Sequence, residues 1–76
     1  MHVGGTAKIA YFNPMLAGQT IVIDVDNGRR REPLTDSVSI TLDATGYGSV
    51  DWTVPNWSMA KFNGPDTTEV ICSVVP

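Results

Sequence analysis

One cysteine, Cys72, and one histidine, His2, are all that this 76-residue chain holds of two side chains that often carry nucleophilic or metal chemistry. A lone cysteine excludes an internal disulfide framework. Charge is sparse as well, at 17% of residues against about a quarter in an average domain. The apolar share of 42% is ordinary, so the chain does not have the composition of a disordered one. Its net charge of −3 argues against a general affinity for nucleic acid. No apolar run approaches the ~20 residues of a membrane-spanning helix, so no membrane insertion is expected. A chain this short cannot hold two independent cores.

Helical periodicity is missing too, and strand periodicity stands in its place. Apolar and polar residues alternate at Ala7, Ile9 and Tyr11; at Ile21, Ile23 and Val25; and at Val38, Ile40 and Leu42. They alternate again at Val50, Trp52 and Val54, and at Val70, Cys72 and Val74. A weaker sixth run covers Ser58 to Phe62. The alternating apolar residues of the five clear runs, with Phe62 from the sixth, form the expected core. Between the runs sit Asn13-Pro14, Ala17-Gly18, Asn27-Gly28, Glu32-Pro33, Gly46-Tyr47-Gly48, Pro55-Asn56 and Asn63-Gly64-Pro65-Asp66, whose backbone preferences mark turns. Short strands with regular turns predict an all-β fold, a small antiparallel β-sandwich of six to seven strands. The matched runs 37–43 and 48–54 predict an antiparallel hairpin, with Gly46 or Gly48 in its left-handed position. Residues 26–36 read as an exposed crossing connection with room for one short edge strand. Residues 1–5 read as a disordered or cloning-derived start without the features of a signal peptide, and 6–76 as the single domain.

Two stretches carry a resemblance. Pro14-Met15-Leu16-Ala17-Gly18-Gln19-Thr20-Ile21-Val22-Ile23-Asp24-Val25 resembles the second-strand approach of bacterial immunoglobulin-like and fibronectin-III-like modules. Residues 38–55, with Val38, Ile40, Leu42, Asp43, Gly46, Gly48, Val50, Trp52, Val54 and Pro55, are similar to a hairpin of the same modules. The resemblance covers about 30 residues and is mostly strand-and-turn grammar. It implies an immunoglobulin-like sandwich from a secreted or surface protein, located outside the cell or on its surface. Two features depart from it: there is no cysteine pair with a tryptophan between, and the chain is short against the ~100 residues of a standard domain.

Candidate chemistry is thin. His2 lies in the loose start, where it cannot serve as an ordered base. Cys72 shares a face with Val70 and Val74 and is expected to be buried and inert. Asp24-Val25-Asp26-Asn27-Gly28 resembles the opening of a calcium loop but puts glycine at position 5 and Thr35 at position 12, where the loop needs glycine at 6 and glutamate at 12. Asp-rich strand ends are the simpler account, and an ion held between loops with Asp36, Asp43 or Asp66 the alternative. Arg29-Arg30-Arg31 is flanked by Asp24, Asp26, Glu32 and Asp36, which suits a charged edge that resists aggregation better than an anion site. Lys8 points away from the core and is a poor candidate for an isopeptide crosslink. Trp52 belongs to the core. Trp57 follows Pro55-Asn56 and either caps the core or, with Tyr47, Asn56 and Asn63, forms an aromatic and amide surface for a sugar ring.

No nucleophile, base and orienting group assemble, so no catalytic activity, cofactor or metal is expected. The expected role is that of a structural or interaction module within a larger protein. Its partners would be other protein domains or copies of itself, with a glycan bound near Trp57 as the alternative.

Overall fold

The computed structural model describes residues 1–65 and 69–76; Asp66 lies outside the described residues. Six strands follow the alternating runs: β1 (Thr6–Phe12), β2 (Thr20–Asp26), β3 (Thr35–Thr41), β4 (Tyr47–Thr53), β5 (Met59–Asn63) and β6 (Glu69–Ser73). They pair antiparallel in two sheets, one ordered β3-β2-β5-β6 and the other β1-β4. The two sheets pack as layers of an all-β sandwich.

β2 shows why these residues make strands. Ile21, Ile23 and Val25 are buried while Thr20, Val22 and Asp24 face solvent, so one pleated face carries the whole apolar set. Across the ladder Ile21 lies opposite Ile40 and Ile23 opposite Val38, which extends that apolar face onto β3. The core divides along the strands. Val25, Trp52, Val54, Ala60 and Val74 gather toward one end. Ile21, Ile23, Ile40 and Leu42 gather toward the other, under Ile9, Tyr11 and Val50 from the two-stranded sheet. Ala60, which lies outside the expected core set, is fully buried, so the weak sixth run supplies more of the core than Phe62 alone.

The 37–43 and 48–54 runs do not form a hairpin. β3 pairs with β2, and β4 pairs with β1, so residues 42–46 arch from one sheet to the other. Alternation fits both outcomes, because it says which side chains share a face and not which strand lies alongside. Crossing over lets the apolar face of β3 pack against that of β4 instead of lying beside it. Local chemistry holds the arch. The Asp43 carboxylate accepts from the backbone N–H of Thr45 (2.8 Å), the Thr45 hydroxyl (2.6 Å) and the backbone N–H of Tyr47 (3.1 Å). Gly46 is buried at φ 92°, and a Cβ there would run into the Asn13 carbonyl. At Gly48 a Cβ would come within 2.6 Å of Ile40 Cγ2 and 2.7 Å of the Thr41 carbonyl oxygen.

Among the described residues one side-chain hydrogen bond joins β3 to β4 across the layers. The indole N–H of the buried Trp52, on β4, donates to Asp36 Oδ2 on β3 at 2.8 Å. Trp52 also meets Phe62 edge to face at 5.5 Å and Trp57 at 5.8 Å between ring centroids.

The first five residues are hydrogen bonded where the sequence reading has a loose start. Val3 N–H donates to the Val75 carbonyl and Val75 N–H to the Met1 carbonyl, both at 2.9 Å, while Gly4 N–H donates to the Val54 carbonyl at 2.8 Å. Backbone groups at the end of a sandwich need partners, and here the two ends of the chain supply them to each other. The 27–34 connection carries no strand, so the short edge strand expected there is absent.

Gly46→Ala is expected to destabilise the fold by at least ~1–2 kcal/mol through its left-handed backbone, and by more through the overlap with Asn13. Gly18→Ala carries the same backbone cost at φ 77° but has open space for the methyl. Urea unfolding of the two variants should rank Gly46→Ala clearly worse; equal losses would rule out the packing account of the arch.

Candidate functional site

The two sheets are unequal, and the inequality makes a site. At ~4.8 Å between strands, β1-β4 is half as wide as β3-β2-β5-β6 and leaves the inner face toward β6 short of cover. A slot of about 400 Å³ runs there. Residues 7 to 12 of β1 form one wall, Ile23, Phe62, Gly64, Val70 and Cys72 the other, and Met1 also borders it. The lining is mostly apolar. Val70 belongs to the inward set of its strand, yet it is 50% exposed. Cys72, expected to be fully buried, is only half-buried for the same reason: the layer above stops before it. Tyr11, one of the lining residues, has a buried hydroxyl oxygen with no hydrogen-bond partner among the described residues. Such an atom is costly unless something reaches it.

A smaller groove of about 190 Å³ opens at the end of the sandwich beyond β4, lined by Asn27, Arg29, Glu32, Leu34, Asn56, Trp57 and Ser58. Asn27 builds it. Its side chain is buried; its amide donates to the Glu32 carbonyl at 3.0 Å, and its Oδ1 accepts from Arg29 N–H at 3.1 Å and Leu34 N–H at 3.3 Å. One side chain thereby folds the 27–34 connection over the sheet. The Asn27-Gly28 pair signals a turn in the sequence, but nothing in the pattern shows that this asparagine turns inward.

The four residues expected to form a sugar surface are not brought together. Trp57 and Asn56 share the small groove. Tyr47 starts β4 at the opposite end of the molecule, with a seven-residue strand of ~20 Å between. Asn63 ends β5 on the ladder opposite Asp24, its amide 3.5 Å from Asp26 Oδ2. Trp57 is half-buried against Trp52, so most of its ring caps the core and only part faces the groove.

The acids also go to separate tasks. Asp26 Oδ1 accepts from Gly28 N–H at 2.7 Å, Asp36 holds Trp52, and Asp43 holds the arch. Among the described residues no three His, Cys, Asp or Glu side chains gather as metal ligands. The Trp52 N–H, followed by the Ser37 backbone N–H, lowers the Asp36 carboxyl below its usual 3.8. The Thr45 hydroxyl, followed by the backbone N–H groups of Tyr47 and Thr45, lowers Asp43 below the same value. Arg29, Arg30 and Arg31 are exposed on the connection. His2 is exposed in a parallel bridge with Val75, and Lys8 is exposed on β1.

Two outcomes follow. Carboxyls lowered on folding stabilise the protein above their unfolded pKa, and that contribution disappears as pH falls through the lowered folded values. The melting temperature should therefore drop as pH is taken from about 5 to below 3, and Asp36→Asn should flatten part of that slope. A wild-type slope unchanged in the variant would disconnect Asp36 from it. Asn27→Ala strips three backbone groups of their partner and is expected to cost about 2–3 kcal/mol. Asn27→Asp keeps the acceptor for Arg29 and Leu34 but turns a carboxylate oxygen toward the Glu32 carbonyl in a buried site, so chemical denaturation should show it too as clearly less stable than wild type.

Comparison with protein-family models, curated proteins and solved structures finds no match to this chain.

Proposed function

We propose that this chain is a non-catalytic, immunoglobulin-like structural and interaction module of a larger bacterial secreted or surface protein, and that it makes protein contacts along its open side. The slot beside β1 is the observation that carries this reading. An edge strand lining an apolar channel presents both backbone hydrogen bonds and side-chain pockets to an extended chain, the combination that strand addition uses. The immunoglobulin-like and bacterial-surface parts rest on the strand-and-turn pattern of residues 14–25 and 38–55. The non-catalytic part rests on the single histidine and single cysteine, which lie in unrelated surroundings: His2 in the terminal bridge, Cys72 at the slot.

Parallel arrays of extended peptides with alternating apolar residues and of glycans test the reading. Binding to peptides, weakened by Val70→Asp in the slot, is the expected result. Glycan binding that shifts tryptophan emission and is lost in Trp57→Ala, with no peptide binding, would replace the slot by the Trp57 groove as the working surface.

A further inference from the structure

Resting on that reading, we infer that the slot takes β6 of a second copy of this chain, giving a two-fold dimer in which the two sandwiches merge. The backbone shows which edges are free. Val54 N–H donates to the Gly5 carbonyl and Asn13 N–H to the Gly46 carbonyl, so the odd residues of β1 bond toward β4. By the alternation of an antiparallel ladder, Thr6, Lys8, Ala10 and Phe12 turn their backbone groups outward. On β6, Val74 N–H donates to the Ser58 carbonyl, so the even residues bond toward β5. Glu69, Ile71 and Ser73 therefore face the free edge. The Met1 ammonium meets the Ser73 carbonyl from that side at 3.3 Å, and the segment behind it occupies the end of the edge beyond Ser73. Glu69 and Ile71 remain.

These edges complement each other in three independent ways. The first is parity. Outward backbone groups belong to β1 residues whose side chains face solvent (Lys8, Ala10) and to β6 residues whose side chains face solvent (Glu69, Ile71). Pairing them keeps Ile9 and Tyr11 of one copy, and Val70 and Cys72 of the other, directed into the slot. The second is direction. β1 runs toward the Tyr47 end and β6 away from it, and a two-fold axis along the strands exchanges the layers without reversing any strand. β1 and a second copy's β6 thus meet antiparallel. The third is width. Two strands over four in one copy, joined to four over two in the other, give two layers of six, with the under-covered inner faces of β6 packed on each other. Charge is compatible: with Lys8 opposite Ile71 and Ala10 opposite Glu69, the lysine lies diagonal to the glutamate of the other copy, which within its own chain meets Lys61 at 3.4 Å. The free edge of β3, with Asp36 among serines and threonines, offers no comparable channel.

Sedimentation velocity over a concentration series to ~100 µM tests the dimer. Wild-type protein is expected to shift from monomer to dimer across the series. Ala10→Pro removes an outward N–H from β1 and leaves its bonds to β4 in place; Ile71→Lys adds a charge at the β6 edge. Each should hold the protein monomeric at every concentration, with the tryptophan emission of the folded chain retained. Val22→Lys, an equally exposed apolar site on the outer face of β2, should dimerise as wild type does. A wild type that stays monomeric throughout, or a dimer that survives in folded Ala10→Pro and Ile71→Lys, would overturn the inference. Peptide binding by a monomeric wild type would leave the interaction reading standing while removing the second copy as occupant.

Discussion

The bond between the Trp52 indole and the Asp36 carboxylate is the contact on which the arrangement of the two sheets depends. β3 and β4 are consecutive, but they sit in different layers, and this is the one side-chain hydrogen bond between them among the described residues. It satisfies a buried N–H that would otherwise cost free energy, and it draws the indole over Val25, Val54 and Ala60 while Phe62 and Trp57 close around it. Asp36 stays exposed, so a charge-assisted bond forms without the penalty of burying the charge. The arch at Asp43–Gly46 holds the other end of the same crossing. Between these two points β4 has little freedom to slide.

That crossing also creates the open side. With β4 placed over β3 and β1 beside it, the second layer has two strands among the described residues, and the inner face of the other sheet runs past them toward β6. The chain covers part of this surplus by laying residues 1–3 beside Val75, which closes the upper end of the slot. What remains exposed is apolar and bounded by an unpaired strand edge, a combination that soluble domains ordinarily avoid. For a domain this small, with no disulfide to restrain its unfolded state, apolar surface left uncovered is a substantial share of what burial supplies. Covering it with protein adds stability and specificity together.

Much of this could be read from residues alone, and the rest could not. The strands were visible because a half-buried strand must alternate: β2 reads Thr20-Ile21-Val22-Ile23-Asp24-Val25-Asp26 and buries every second residue. The turn residues marked the connections, and Trp52 was recognisable as core by its place between Val50 and Val54. Alternation has no reach beyond its own strand, however. It left open whether 37–43 and 48–54 lie side by side or face to face, and it ranked Val70 with Val25 although one is half exposed and the other fully buried. Grouping Tyr47 with Trp57 has the same origin: they are ten positions apart, but the strand between them carries them to opposite ends.

The sequence by itself determined the fold class, the strand faces and the turn positions, because those follow from backbone sterics and from the two-residue period of side chains. Tertiary structure alone decided which strands became neighbours. It turned Asn27 inward to hold a loop, set Asp36 under the Trp52 N–H, and stopped one layer short of the other. Those outcomes depend on how two surfaces of unequal width pack in three dimensions, which local periodicity does not encode.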